Sequence, residues 1–159
     1  MKTRRLASIA LVAAVMLGTA GCTFITPQAT DIEYNAADGV GLDVGGVQIR
    51  DALIIADESG RVGNFAAAVI NTADSSQVLT LEYGPVGNSE RTNIRVAAGE
   101  TLTLGNDDVD PVLLVGLDTQ PGAMLDVQFS VGDDSTVVML PVLDGSLPQY
   151  EHLVPSVLR

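Results

Sequence analysis

The stretch "MLDVQFSV", residues 124–131, alternates without a break: Leu125, Val127, Phe129 and Val131 are apolar, Asp126, Gln128 and Ser130 polar. A period of two over this length places the two sets on opposite faces of a half-buried strand. "GDDS" then turns, and "TVVMLPVL" (136–143) reads as a partner strand.

Working back from this pair, the same signals recur about every ten residues. "VLLVGL" (112–117) is apolar on both faces. "TLTL" (101–104) and "NIRV" (93–96) are short strands around "AAGE", and "QVLTLEY" (77–83) alternates with Leu79, Leu81 and Tyr83 on one side. "FAAAVINT" (65–72) is mostly apolar, and "VQIRDALIIAD" (47–57) begins by alternating and becomes wholly apolar. Gly, Asp, Asn and Ser clusters separate these runs, and no convincing helical period appears. Seven or eight short strands at this spacing predict an all-β fold, an antiparallel Greek-key β-sandwich of cupredoxin-like or immunoglobulin-like shape. Runs apolar on both faces suit central strands, and alternating ones suit strands with one wet face. Met139, inside a strand, is expected in the core, where Met fills gaps between aliphatic residues.

The chain opens differently. "MKTRR" carries Lys2, Arg4 and Arg5 and no acid, and the apolar run 6–18 that follows is thirteen residues long. A membrane-spanning helix takes ~20 residues, so this run is too short to cross. A basic start, a short apolar core and the small residues Thr19, Ala20 and Gly21 before Cys22 form a secretory signal. The pattern resembles the bacterial lipobox. In that family the cysteine sulfur receives diacylglycerol and the signal is cut just before it, here between Gly21 and Cys22. Thr19 stands where the usual lipobox has Leu, and Leu17 lies two places further back. A thiolate has the nucleophilicity that this alkylation needs. A diacylglyceryl group supplies the two chains that stable anchoring requires, since one chain alone binds reversibly. A plain secretory signal, or a short membrane anchor with an incidental cysteine, is the alternative. No second cysteine exists to form an intrachain disulfide.

The resulting division is a cleaved signal peptide over 1–21, a lipidated cysteine and flexible tether over 22–45, part of which is open to docking as an edge strand, a sandwich over 46–143 and an irregular tail over 144–159. After residue 21 the chain has five arginines and no lysine against twenty Asp and Glu, a net charge of −15 with His152 neutral. Such a surface repels nucleic-acid phosphates and anionic lipid, so the lipid must carry the membrane attachment.

Residues 95–131, "RVAAGETLTLGNDDVDPVLLVGLDTQPGAMLDVQFSV", are similar to the C-terminal half of the periplasmic copper chaperone family of the PCu(A)C type. The matching pieces are Ala98, Gly99, Thr101 and Leu104; then Leu114, Gly116 and Leu117; then Pro121, Gly122, Leu125, Val127 and Phe129. Residues 47–82 resemble the family's first half, with Asn71 on its turn. Small actinobacterial lipoproteins of the LpqE kind resemble the chain more closely still, through signal, lipobox, Gly-rich tether and "VGGVQIRDA". The family's copper site implies two His and two Met. The His-x-Met pair falls on Pro111 and Leu113, and the loop 84–92 has neither His nor Met. Soft Cu(I) needs thioether or imidazole donors, and after the signal only Met124, Met139 and His152 offer them. The expectation is therefore no metal and no cofactor beyond the diacylglycerol on Cys22.

Catalytic patterns are thin. "GNSER" (87–91) lacks a nameable base for Ser89. "GVGLDVG" (39–45) has neither the strand before it nor the helix after it that a dinucleotide loop requires. The clusters Asp107, Asp108, Asp110 and Asp133, Asp134 lack the spacing of a calcium loop and read as turns. The sequence thus predicts a non-enzymatic lipoprotein on the extracytoplasmic face of the cell membrane. It would act as a binding, adaptor or accessory factor for another envelope protein, through strand edges and the tail residues Tyr150, His152 and Leu153. Metal handling through a remade site comes second, and an envelope enzyme third.

Overall fold

The computed structural model describes residues 37–85 and 87–156. The signal, the cleavage site at Gly21 and Cys22, and the first part of the tether lie outside the described residues. The strands are β1 (Val40–Val44), β2 (Val47–Ala56), β3 (Val62–Asn71), β4 (Gln77–Tyr83) and β5 (Glu90–Val96). They continue with β6 (Thr101–Leu104), β7 (Val112–Val115), β8 (Met124–Val131) and β9 (Asp134–Leu143), followed by a 3-10 turn at Glu151–Leu153.

Two sheets face each other. One carries β1, β2 and β3, with β6 and β7 sharing the far edge of β3; the other runs β5-β4-β8-β9. β9 belongs to both. Its residues 134–141 pair with β8, and Val142 and Leu143 pair in parallel with Ile54 and Ile55 of β2. The order is that of an immunoglobulin-like sandwich, with β2, β3 and β6/β7 as A, B and E, and β9, β8, β4 and β5 as G, F, C and C′. The all-β expectation holds. The strands number nine rather than seven or eight, and the β2–β9 pairing is parallel.

The added strand is β1, inside the stretch expected to be tether. Gly45 and Gly46, at φ 52° and 78°, form the two-residue turn that folds it back on β2. The docked edge strand that the tether left open is thus β1, and the glycines supply its hairpin. β3 also starts earlier than expected. Gly63 lies within the strand as a packing residue, since a Cβ there would come 2.6 Å from both Ile54 Cγ2 and Leu117 Cδ1.

The core is built from the inner faces of both sheets. Phe65 of β3 meets Phe129 of β8 across the gap, with centroids 6.1 Å apart and planes tilted by 48°. Each fully buried aromatic of this kind contributes ~1.5–3 kcal/mol. Asn71 is the buried polar residue of this core. Its Nδ2 donates to the carbonyls of Ser75, Val96 and Ala97 at 2.8, 3.2 and 2.9 Å, and its Oδ1 accepts from Ala73 N at 3.0 Å. It ties the β3–β4 turn to the end of β5, so its burial leaves no polar atom unsatisfied.

A β-bulge explains the odd pattern of β2. Pairing with β3 slips between Arg50 and Leu53, and Asp51 there takes φ 53°. Before the slip Val47 and Ile49 face the core; after it Ala52, Ile54 and Ala56 do. The extra residue reverses the phase and turns Leu53 and Ile55 outward. These form a second cluster with Ala66 and Leu153, against which Leu143 and Tyr150 pack. The tail supplies the cover. Asn64 Nδ2 donates to Leu153 O at 2.8 Å, and Tyr150 Oη donates to Asp38 Oδ2 at 2.7 Å.

Two further expectations fail. Met139 is not in the core but 59% exposed. Its register opposite Asp126 places it on the outer face, while Val138, Leu140 and Val142 face inward. β7, apolar on both sides, is an edge strand rather than a central one, and Leu113 and Val115 on its outer face are more than half exposed.

Candidate functional site

Three loops meet at one end of the sandwich. They join β2 to β3 (57–61), β4 to β5 (84–89) and β7 to β8 (116–123). Between them lies an open cleft of about 710 Å³, lined by Asp57, Arg61, Val62, Val115 and Asp118 among others. That volume falls within the ~300–1,000 Å³ of small-molecule sites.

The first loop is held by its own carboxylate. Asp57 accepts from Ser59 Oγ at 2.5 Å and from the backbone N–H groups of Arg61 and Val62, both at 3.1 Å. Burial pushes the Asp57 carboxyl up, but these hydrogen bonds outweigh it and leave the group below its ordinary value. The loop is stitched to the third. Gly116 N and Leu117 N donate to Arg61 O at 2.8 and 3.2 Å, and Thr119 N donates to Gly60 O at 3.0 Å. This approach requires glycine at position 60, where φ is 66° and a Cβ would lie 2.4 Å from Thr119 O. Loop two closes the side: Gly84 and Glu90 pack against Gly116.

Arg61 Nε donates to Ser59 Oγ at 3.3 Å. The ion pairs among the described residues are Arg50–Asp43 and Arg91–Glu82, and Arg61 belongs to neither. Arg91, then the Ser89 hydroxyl, hold the Glu82 carboxyl below its ordinary value. Ser89, for which the sequence offers no base, thus donates to a carboxylate, at 2.8 Å.

Of the residues expected to meet a partner, Leu153 is buried at 4% exposure and belongs to the second cluster. Tyr150 is half-buried and bonded to Asp38, and exposed His152 lies 3.3 Å from Gly105 O through Nε2. The tail is therefore packed on the sheet, because the β2 bulge leaves apolar side chains for it to cover. Pro111 and Leu113, where the resemblance places the His-x-Met pair, sit at the start of β7, with Leu113 facing solvent. Met124 is on β8, Met139 on β9 and His152 on the 3-10 turn. No three or more His, Cys, Asp or Glu among the described residues are grouped to hold a metal ion.

Sequence reading missed the cleft. "ESGRVGN" and "DTQPGA" read as turns, and only the folded chain brings Arg61 and Asp118 to one cavity. No protein-family model matches this sequence, and no curated protein matches it either.

Proposed function

We propose that this chain is a lipid-anchored extracytoplasmic protein whose sandwich is a non-catalytic binding module, an adaptor or accessory factor for another envelope protein. The lipobox-like end supports the anchor. The observation that carries the binding role is the outer face of the β8–β9 ribbon. Met124, Val137 and Met139 are each more than half exposed there, on a chain otherwise rich in surface acids. Met139 lies opposite Asp126 and Val137 opposite Gln128, so the apolar side chains follow one edge of a polar sheet face. Apolar side chains grouped in this way mark protein contacts, and Met adapts to varied partners.

Two measurements test this reading. Cys22→Ala should abolish membrane fractionation and palmitate labelling in the native host; continued labelling removes the anchor. Cross-linking with the full chain as bait should enrich one envelope protein, and a Val137→Gln/Met139→Gln bait should lose it. Equal recovery from both baits excludes the ribbon as the contact.

A further inference from the structure

The geometry points to a second function: the loop-end cleft binds a small zwitterion, its anionic group on Arg61 and its ammonium on Asp118. This stands apart from the anchor and from the β8–β9 ribbon. Three observations carry it.

The first is an unspent pair of opposite charges. Arg61 and Asp118 line the same cleft, yet they form no ion pair with each other or with any described residue. The nearby carboxylate of Asp57 is occupied by Ser59 and the backbone of its own loop. A cation and an anion held apart on a rigid rim complement a molecule that carries both signs.

The second is backbone strain. Asp51 and Asp118 are the non-glycine residues at positive φ among those described, at 53° and 52°. For Asp51 the side chain accounts for the conformation: Oδ1 accepts from Gly39 N at 2.8 Å. The Asp118 carboxylate has no such bond. Its backbone is fixed by neighbours on both sides, Leu117 N on Arg61 O and Thr119 N on Gly60 O. Glycine would fit this left-handed position without steric cost. A carboxylate held at a left-handed backbone position in the lining of a cleft is the kind of conformation that collects at ligand sites.

The third is the wall. Val62, Val115 and Pro85 also line the cleft. They give the ligand's body an aliphatic surface, so the class that fits is a small aliphatic amino acid. The phosphoethanolamine headgroup of a phospholipid carries the same two charges without the aliphatic body, and the wall favours the amino acid.

The test is a titration of the ¹⁵N-labelled full chain in detergent micelles, followed by amide shifts at Arg61, Val115 and Gly116. The probes are L-leucine, leucinamide (no carboxylate), N-acetyl-leucine (no ammonium) and phosphoethanolamine. L-Leucine should give saturable shifts, with both analogues about tenfold weaker or worse, and Arg61→Gln should weaken leucine by a similar factor. Phosphoethanolamine binding more tightly than leucine would overturn the amino-acid assignment. Asp118→Gly is the second variant. It should lose leucine binding while raising the melting temperature, since it relieves the strain. Analogues that bind as well as leucine, unchanged binding by Arg61→Gln, an unshifted cleft, or an Asp118→Gly chain that melts lower would each overturn the proposal.

Discussion

The two outer faces of this sandwich are finished in opposite ways. On the β2–β3 face, Leu53, Ile55 and Ala66 lie under Leu153 and Tyr150 of the tail. On the β4–β8 face, Arg91 pairs with Glu82, and Thr80 Oγ1 donates to Asn93 Oδ1 at 2.9 Å. Nothing among the described residues covers Val137 and Met139 there. The difference traces to one residue of register. The β2 bulge turns two large aliphatic side chains outward, and that face then requires a lid. β4 and β8 keep strict alternation, so apart from Val78 and Met124 their outer face is already polar and needs none.

Three changes should break or sharpen the contrast. Leu153→Ala removes the centre of the lid. It should cost about 2–4 kcal/mol, a fall of roughly 10 °C in thermal unfolding. A loss below about 0.5 kcal/mol, the level of an ordinary surface substitution, would mean that the tail lies on the sheet without sealing it. Tyr150→Phe keeps the packing and deletes the bond to Asp38, at about 1 kcal/mol by denaturant unfolding.

The tyrosine also gives a pH signature. Burial, then the hydrogen bond to Asp38 and the charges of Asp38 and Asp51, push the Tyr150 hydroxyl up to about 12 from an ordinary 10. The folded value is the higher one. The protonated phenol therefore stabilises the fold fully below about pH 10, and that contribution is lost as pH rises through about 12. Unfolding curves over this window should show the natural chain converging on Tyr150→Phe; parallel curves would contradict it. The smallest effect belongs to the bare face. Val137→Gln/Met139→Gln should change stability by no more than about 0.5 kcal/mol, because these side chains already face water. A loss above about 1 kcal/mol would show that the ribbon is covered after all.

Much of the architecture was legible in the sequence. β4, β6 and β8 fall where their alternation or short runs place them, and Leu125, Val127, Phe129 and Val131 face inward as read. What escaped was decided by tertiary context. β5 begins at Glu90, three residues before the apolar signal, because an edge strand can carry Glu90, Arg91 and Thr92 in water. Gly63 looked like a turn residue and is a packing residue. Met139 looked like core because composition says nothing about phase. The cleft was least legible of all. Arg61 and Asp118 are 57 positions apart in ordinary turns, and neither carries a motif.

The bond between Tyr150 and Asp38 joins the two ends of the described fold. Chain entry and exit therefore share one corner, and the domain can be regarded as a closed loop cut open there. A linker across the corner that Asp38 and Tyr150 share would seal that cut, and a new one would fall in the β8–β9 turn, where a Cβ on Gly132 would meet nothing within 4 Å. The same adjacency makes the fold a cassette. Adjacent entry and exit are what insertion into a surface loop of a host protein requires.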